Sequence, residues 1–510
     1  MAKSQSLLQK RFASLGHLGL WLVCGLMLPH ASVAHEPLGH QSELQPERPA
    51  ADLAKEQLRI GDRLWIEGEK ANAREYYQLA KPAFDEQVIG EILEPTSDAA
   101  TLSPAGRVYW RNAQSGLEQD LTQKALISLD LLATESPHFI PGRIAQIQRL
   151  LAEENVEEAT ESLGNALSGY GSSTELMTYA IEFYDETEQW FEASLAARQF
   201  ALLNPDHPQQ AEFTTLADEY WEEYQSDLRA EIRGNTFANF ITGAIGFALT
   251  GSLVGPITAL ESSVLLLQGE EAVGNRISEN IQDVAPMVED ETVLAYVREL
   301  GDLLTTFVGQ DRFNYEFHVI LNDELNAFAL PGGKIFIYTG AILEARSEAE
   351  LAGLLGHEIA HAALSHGFQL VTEGNLTANI TSNIPFGRIA GSLLVLNYSR
   401  GMERQADALG TQILAASPYA ADGLYNLSVT LNEDEERNAP PAWMSTHPDI
   451  SERVENIQTQ IVSQNYDRYT FEGINRHEEI QEIVRQLMAE EESRKLAEEA
   501  AEEAEEEEED

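Results

Sequence analysis

Between residues 50 and 230, apolar side chains recur at three- and four-residue spacing in a stretch rich in Ala, Leu, Glu and Gln. That spacing puts them on one face of successive amphipathic helices. The pattern also repeats over a longer interval. Ala125, Ala159 and Ala193 are separated by 34 residues each time. Pro137 and Pro205 follow the first and third of these alanines by twelve residues, and Gly171 stands in the corresponding turn of the middle copy. A small residue in the second helix of a pair lets the first helix pack close, and the proline ends that helix before the next unit.

The repeat at 106–230 resembles a degenerate tetratricopeptide array of about three units, preceded by a helical region at 35–105. Its first-helix position is kept less well: Ala113 is small, whereas Ile147 and Ile181 are not. An irregular helical domain with fortuitous spacing is the competing reading. A true array would offer its concave face to a protein partner. The pattern then changes at 231–285, because no ionisable side chain lies between Arg233 and Glu261. The length of 234–260 suits a bilayer span, and Gly251 and Gly255 would permit close helix packing there. Glycine and threonine dilute its hydrophobicity, so a half-buried helical hairpin over the next domain competes with membrane contact.

From 286 to 470 a period of two enters. "YEFHVIL" (315–321) and "KIFIY" (334–338) are rich in β-branched and aromatic residues and read as strands, with "LPGG" (330–333) as a turn. Ser347 with Glu350 forms a capping box that starts a helix ten residues before His357. His357 and His361, at i and i+4, share one helix face and can ligate one zinc ion. Glu358 is displaced around the helix, too far to be a third ligand but within reach of a water at the metal, where it can act as general base. The expected fold is therefore mainly α with a small β-sheet: a zincin-type α+β metalloprotease domain preceded by a helical repeat domain.

A third ligand is needed. His366 lies five residues past His361, about 140° around a continuing helix, and is expected to bond on another face. Downstream, "NYSRGMERQADALGTQIL" reads as a helix in which Glu403 can complete the zinc shell and Asp407, four residues on, can fix the tautomer of a ligand histidine. Taken singly, Glu403 would be an ordinary solvated carboxylate in so acidic a chain.

Composition narrows the remaining classes. The 510-residue chain is long enough for two or three domains and has a formal net charge of −51, which disfavours nucleic acid as a partner. Part of that charge is a tail from Glu490 to Asp510 with thirteen acids and two bases, following a charged helix; the whole of 471–510 is expected to end as a solvated, disordered tail. At the other end, Lys3, Lys10 and Arg11, then "LGLWLVCGLML", then Ser32-Val33-Ala34 give 1–34 the layout of an export signal. The single cysteine, Cys24, falls inside it, so the mature chain holds no thiol for a disulfide or for catalysis. Export points to the periplasm, with membrane association if 234–260 touches lipid.

"NAFALPGGKIFIYTGAI", "LLGHEIAHAALSHG", "YSRGMERQADALG" and "STHPDISER" occur in this order. Together, over roughly 180 residues, they resemble the HtpX/BepA-like zinc endopeptidases, HExxH gluzincin-type metalloproteases related to the CAAX prenyl proteases. The resemblance implies His357, His361 and Glu403 as ligands of one Zn2+ per chain and Glu358 as base. It further implies that His447 can close the metal's open position to give a latent enzyme, and that Arg453 stands near the developing oxyanion. Asn326, Ala327 and Phe328 would offer a strand edge to an extended substrate. The implied activity is cleavage of unfolded or misassembled proteins in the cell envelope. The domain order departs from BepA-like proteins, which place their repeats after the protease. A repeat-based chaperone with a mainly structural zinc site is the alternative. A thermolysin-like digestive protease shares the ligand pattern but gives no account of "PGGKIF" and "THP".

Overall fold

The computed structural model describes residues 50–84, 94–171, 173–233, 265, 267–308, 313–372, 398–433, 443–444, 447 and 450–509. The expected export signal at 1–34 and the uncharged segment at 234–260 lie outside the described residues. No helix among the described residues is long and apolar enough to cross a membrane.

The chain divides into two compact units, Met1–Pro82 and Ala83–Asp510. The first contains the hairpin of α1 (Ala50–Ile66) and α2 (Lys70–Ala80). It is fixed by a buried Tyr77 whose hydroxyl donates to Asp62 at 2.9 Å.

In the second unit, three helical hairpins follow one another: α3 (Pro104–Glu118) with α4 (Thr122–Glu135), α5 (Ile140–Ala152) with α6 (Val156–Tyr170), and α7 (Thr174–Glu186) with α8 (Trp190–Leu203). The 34-residue interval has a backbone counterpart. Asp120, Glu154 and Glu188 sit in the left-handed region at φ 54°, 59° and 57°, one in each hairpin turn. Just after each, Leu121, Asn155 and Gln189 donate their N–H to the carbonyl five residues back. That 6→1 bond closes a Schellman turn and satisfies an end carbonyl of the first helix. Ala125, Ala159 and Ala193 are buried at the helix crossings, and so are Ala113, Ile147 and Ile181. The larger isoleucines still point into the array core, which is why the first-helix position is hard to read from side-chain size. A long helix, α9 (Gln210–Arg233), closes this part.

The remainder surrounds a three-stranded sheet. α10 (Glu270–Val284) and α11 (Glu291–Thr305) precede β1 (Glu316–Ile320), β2 (Ala327–Leu330) and β3 (Lys334–Tyr338). The strand order is β1-β3-β2, with β3 parallel to β1 and antiparallel to β2, so β2 lies at an edge. The expected turn forms with Gly332 and Gly333 at φ 72° and 82°. Then come α12 (Thr339–Glu344), α13 (Glu348–Ala363), α14 (His366–Thr372), α15 (Arg400–Ala416), α16 (Gly423–Glu433), α17 (Ile450–Ser463) and α18 (Ile474–Glu509). The fold is thus mainly α with a small sheet.

The helical hairpins at 106–230 and the sheet-containing part fall in one compact unit, because Phe191 and Leu195 of α8 share a core with Val273, Phe328, Phe336 and Phe368. The acidic C-terminal stretch continues α18 as helix to Glu509. Its alanines and glutamates are strong helix formers, and Arg494 and Lys495 pair with Glu491 one turn back.

Candidate metal centre

α13 begins where the sequence places it. Ser347 caps it by accepting from the Glu350 N–H at 3.1 Å. The return arm differs from a simple capping box: Glu350 Oε2 accepts from the N–H of Arg346, one residue further out, at 2.8 Å. All sixteen residues of α13 are buried. A helix this enclosed must touch its neighbours through small residues. At its crossing with α15, a Cβ on Gly410 would lie 3.0 Å from His357 N. At its crossing with α16, a Cβ on Gly353 would lie 2.3 Å from Leu424 N.

The close α13–α15 crossing brings the predicted ligands together. His357 and His361 project from the same face with their Nε2 atoms 3.0 Å apart. Glu403, in the first turn of α15, reaches in with Oε2 3.7 Å from His357 Nε2 and Oε1 3.5 Å from His361 Nε2. His447 completes a buried group of four whose donor atoms lie within 4.8 Å of one another. Glu358, next on α13, points at the same space, with Oε1 3.6 Å from His447 Nε2. Substituting Gly410 by Val would force α15 away from His357, and zinc affinity is expected to fall at least about tenfold. Metal titration of that variant beside wild type checks this.

The electrostatics favour a cation. Burial holds His357, His361 and His447 well below the usual imidazole range, and Arg453 adds to this at each. A neutral imidazole has a ring-nitrogen lone pair available to a metal ion. Burial also pushes Glu403 up to about 7 and Glu358 up to about 8, with the Glu403 charge a further cause at Glu358. Among the described residues neither Glu403 oxygen accepts a hydrogen bond, although Arg453 Nη1 lies 3.0 Å from Oε2. Two neutral imidazoles and a buried carboxylate aimed at one point fit a single zinc ion per chain. A divalent ion would neutralise the buried carboxylate, so stripping zinc with a chelator is expected to lower the melting temperature by about 5 °C or more, measurable by calorimetry.

Behind the histidines lie Asp407, where a tautomer-fixing carboxylate is expected, and Arg453, which the resemblance instead assigns to the oxyanion. Asp407 Oδ1 lies 3.0 Å from His357 Nδ1, which turns Nε2 toward the metal face. Arg453 grips Asp407 with both Nε and Nη2, at 2.8 and 2.7 Å. Its charge therefore sits behind His357 and beside Glu403. His366 departs from expectation. α13 stops at Ala363, Ser365 turns left-handed at φ 59°, and His366 swings back to place Nδ1 2.9 Å from Nδ1 of His361. The 140° estimate assumed a helix that does not continue.

Two aromatic residues of the site escape sequence reasoning. Trp443 donates its indole N–H to Glu358 Oε1 at 3.0 Å and stacks on His447 at 4.9 Å between centroids. Tyr398 stacks on His361 at 3.8 Å and donates its hydroxyl to Ala329 O of β2 at 3.3 Å. Tyr398 stood next to the Ser399 helix cap and Trp443 in a proline-rich stretch; nothing in spacing ties either to the histidines. Asn326, Ala327 and Phe328 lie at the start of the edge strand and are buried.

Residues 293–461 match the model of Peptidase family M48. Over this segment the chain is similar to the M48 peptidases. The chain is 26% identical over 217 residues to the Beta-barrel assembly-enhancing protease of Yersinia pestis, covering 38% of this chain and 44% of that protein. It is 23% identical over 253 residues to the protein of the same name from Escherichia coli strain K12, covering 44% of this chain and 52% of that protein. Metalloendopeptidase OMA1, mitochondrial, of Bos taurus is 28% identical over 191 residues, covering 33% of this chain and 36% of that protein. The chain thus spans about half the length, or less, of these relatives. The matched segment contains His357, His361, Glu403, Asp407, His447 and Arg453.

Proposed function

We propose that this protein is a zinc endopeptidase that cleaves unfolded or misassembled proteins of the cell envelope after export to the periplasm. The observation that carries the reading is the convergence of His357, His361 and Glu403 with Glu358 directly beside them. Zinc held by these three side chains would supply the Lewis acid that polarises a scissile carbonyl and acidifies the attacking water. Glu358, whose proton affinity burial raises into the neutral range, takes the proton from that water and delivers it to the leaving amine. The Trp443 indole holds the Glu358 carboxylate in position through Oε1. The edge strand β2 offers its backbone to an extended substrate, which restricts cleavage to unfolded chain. Arg453 reaches a developing oxyanion only through Nη1, the group now beside Glu403. The names of the bacterial relatives point to β-barrel assembly as the setting.

A second reading draws on the fourth donor. With His447 included the shell has four protein ligands, the number typical of a closed structural site in a binding or chaperone module. We propose instead that His447 is a removable lid ligand. Its Nδ1–H donates to Trp443 O at 3.0 Å, so its Nε2 lone pair faces the cluster, and the enzyme rests latent. Digestion of a casein-like unfolded substrate before and after mild chelation separates the two readings. A peptidase stops cutting while its fold persists. A structural zinc site unfolds on chelation and never cuts.

A further inference from the structure

Each ligand histidine presents Nε2 to the metal position and Nδ1 to the protein behind it. For His357 the partner is the carboxylate of Asp407, held in turn by Arg453. For His361 the partner is a second imidazole, that of His366, and it starts a longer chain. His361 Nδ1 lies 2.9 Å from His366 Nδ1, His366 Nε2 lies 3.0 Å from Gln405 Oε1, and Gln405 Nε2 donates to Gln199 Oε1 at 3.2 Å. Gln199 Nε2 then donates to the carbonyl of Leu364 at 3.3 Å. Gln199 belongs to α8, the last helix of the three hairpins, and is only 8% exposed.

The proton count along this chain has one consistent solution. A neutral imidazole that gives its Nε2 lone pair to a metal carries its proton on Nδ1. His361 Nδ1–H therefore donates to His366 Nδ1, which must be the bare nitrogen. The proton of His366 is then on Nε2, and it donates to Gln405 Oε1. The amide N–H of Gln405 donates to Gln199 Oε1, and the amide N–H of Gln199 to Leu364 O. Every donor points away from the metal, and the final acceptor is a backbone carbonyl just past the end of α13. Both glutamines thus have one amide orientation that fits.

The helices at the two ends of the chain are also packed together. Phe191 of α8 meets Phe368 of α14 edge to face at 5.7 Å, Trp221 of α9 lies 5.8 Å from the same ring, and Gln412 of α15 donates to Leu203 O at 3.5 Å. If α8 shifts, half-buried Gln405 and the buried Leu364 carbonyl lose their bonds to Gln199, and each lost bond carries a desolvation cost. Re-orienting Gln405 to recover a partner loosens His366 and then His361.

We propose that Gln405 and Gln199 are positioning residues for the metal ligand His361, so that the helical hairpins form part of the support of the zinc site. The proposal rests on the reading of His357, His361 and Glu403 as zinc ligands. A partner or substrate that displaces α8 would then change the metal site without touching it.

The test is made on the full chain, with zinc affinity measured by chelator competition and the site probed by the visible absorption of the cobalt(II)-substituted protein. Gln405→Leu removes both the acceptor for His366 and the donor to Gln199. It is expected to weaken zinc binding about tenfold and to shift the cobalt bands. Gln405→Glu keeps the acceptor and is expected to restore affinity to within about threefold of wild type. Gln199→Ala, remote from the metal, is expected to weaken binding about threefold with a smaller shift of the same bands. A purely structural role would lower the melting temperature and leave affinity and spectrum unchanged. Wild-type affinity and spectrum in Gln199→Ala overturns the link to the hairpins, including the case where Gln405→Leu fails to fold. If the variants follow this pattern but the zinc-loaded wild-type protein cleaves no unfolded substrate, the peptidase reading is contradicted and the positioning role stands.

Discussion

Glu358→Gln is expected to abolish cleavage of an unfolded substrate, with kcat falling by at least about 10²- to 10⁴-fold, while zinc stays bound and the fold is unharmed. The reasoning is geometric. Glu358 is fully buried, points at the space between the ligands and His447, and has its carboxyl pushed up to about 8 mainly by burial. Gln is nearly isosteric and keeps an oxygen to accept the Trp443 indole N–H, so the packing around residue 358 has no cause to change. It also removes a group that is costly to ionise there, so the melting temperature should not drop. What it lacks is a site for the proton of the attacking water. Zinc content by elemental analysis, a thermal melt and a proteolysis assay, run together, check the three parts. Cleavage within a few-fold of wild type would remove Glu358 from the mechanism.

His447→Ala should have the opposite sign. Removing the imidazole opens the fourth position of the donor group, and proteolysis of the unfolded substrate is expected to rise about tenfold, with little loss of zinc because three ligands remain. The rise should appear in kcat, since the open position is needed for the water and the carbonyl together. The loss of stacking on Trp443 is a complication of known direction: it loosens the indole that holds Glu358 and would reduce the gain. His447→Gln, which keeps bulk but is a poor zinc ligand, separates the effects and should also be more active than wild type. Activity in both variants at or below the wild-type level would show that His447 does not block the site.

The sequence made the catalytic helix legible because a helix carries its own register. Once Ser347 starts α13, His357 and His361 must share a face whatever surrounds them. Glu403 and Asp407 were legible as a pair for the same reason, but their meeting with α13 depends on the Gly410 crossing, and only the resemblance supplied that. The strands at 316–320 and 334–338 showed their period of two, while β2 is short and buried throughout, so its place at the edge came from the order of pairing. His366 was misplaced because one left-handed residue, Ser365, ends the helix periodicity on which the angle was computed. Trp443 and Tyr398 were not legible. Their relation to the histidines is made by chain reversals, and no spacing rule carries across those. In the acidic C-terminal stretch a block of like charges favours disorder while alanine and glutamate favour helix, and α18 runs to Glu509.

The central claim is that two imidazoles from α13 and one carboxylate from α15 hold a single zinc ion. X-ray absorption spectroscopy at the zinc edge, on the full chain and on Glu403→Ala, tests it most directly. The wild-type spectrum should show about one zinc per chain with nitrogen and oxygen neighbours near 2.0–2.2 Å and no sulfur. Glu403→Ala should lose a first-shell oxygen and most of its zinc. A Glu403→Ala protein with unchanged zinc content and an unchanged first shell would contradict the account.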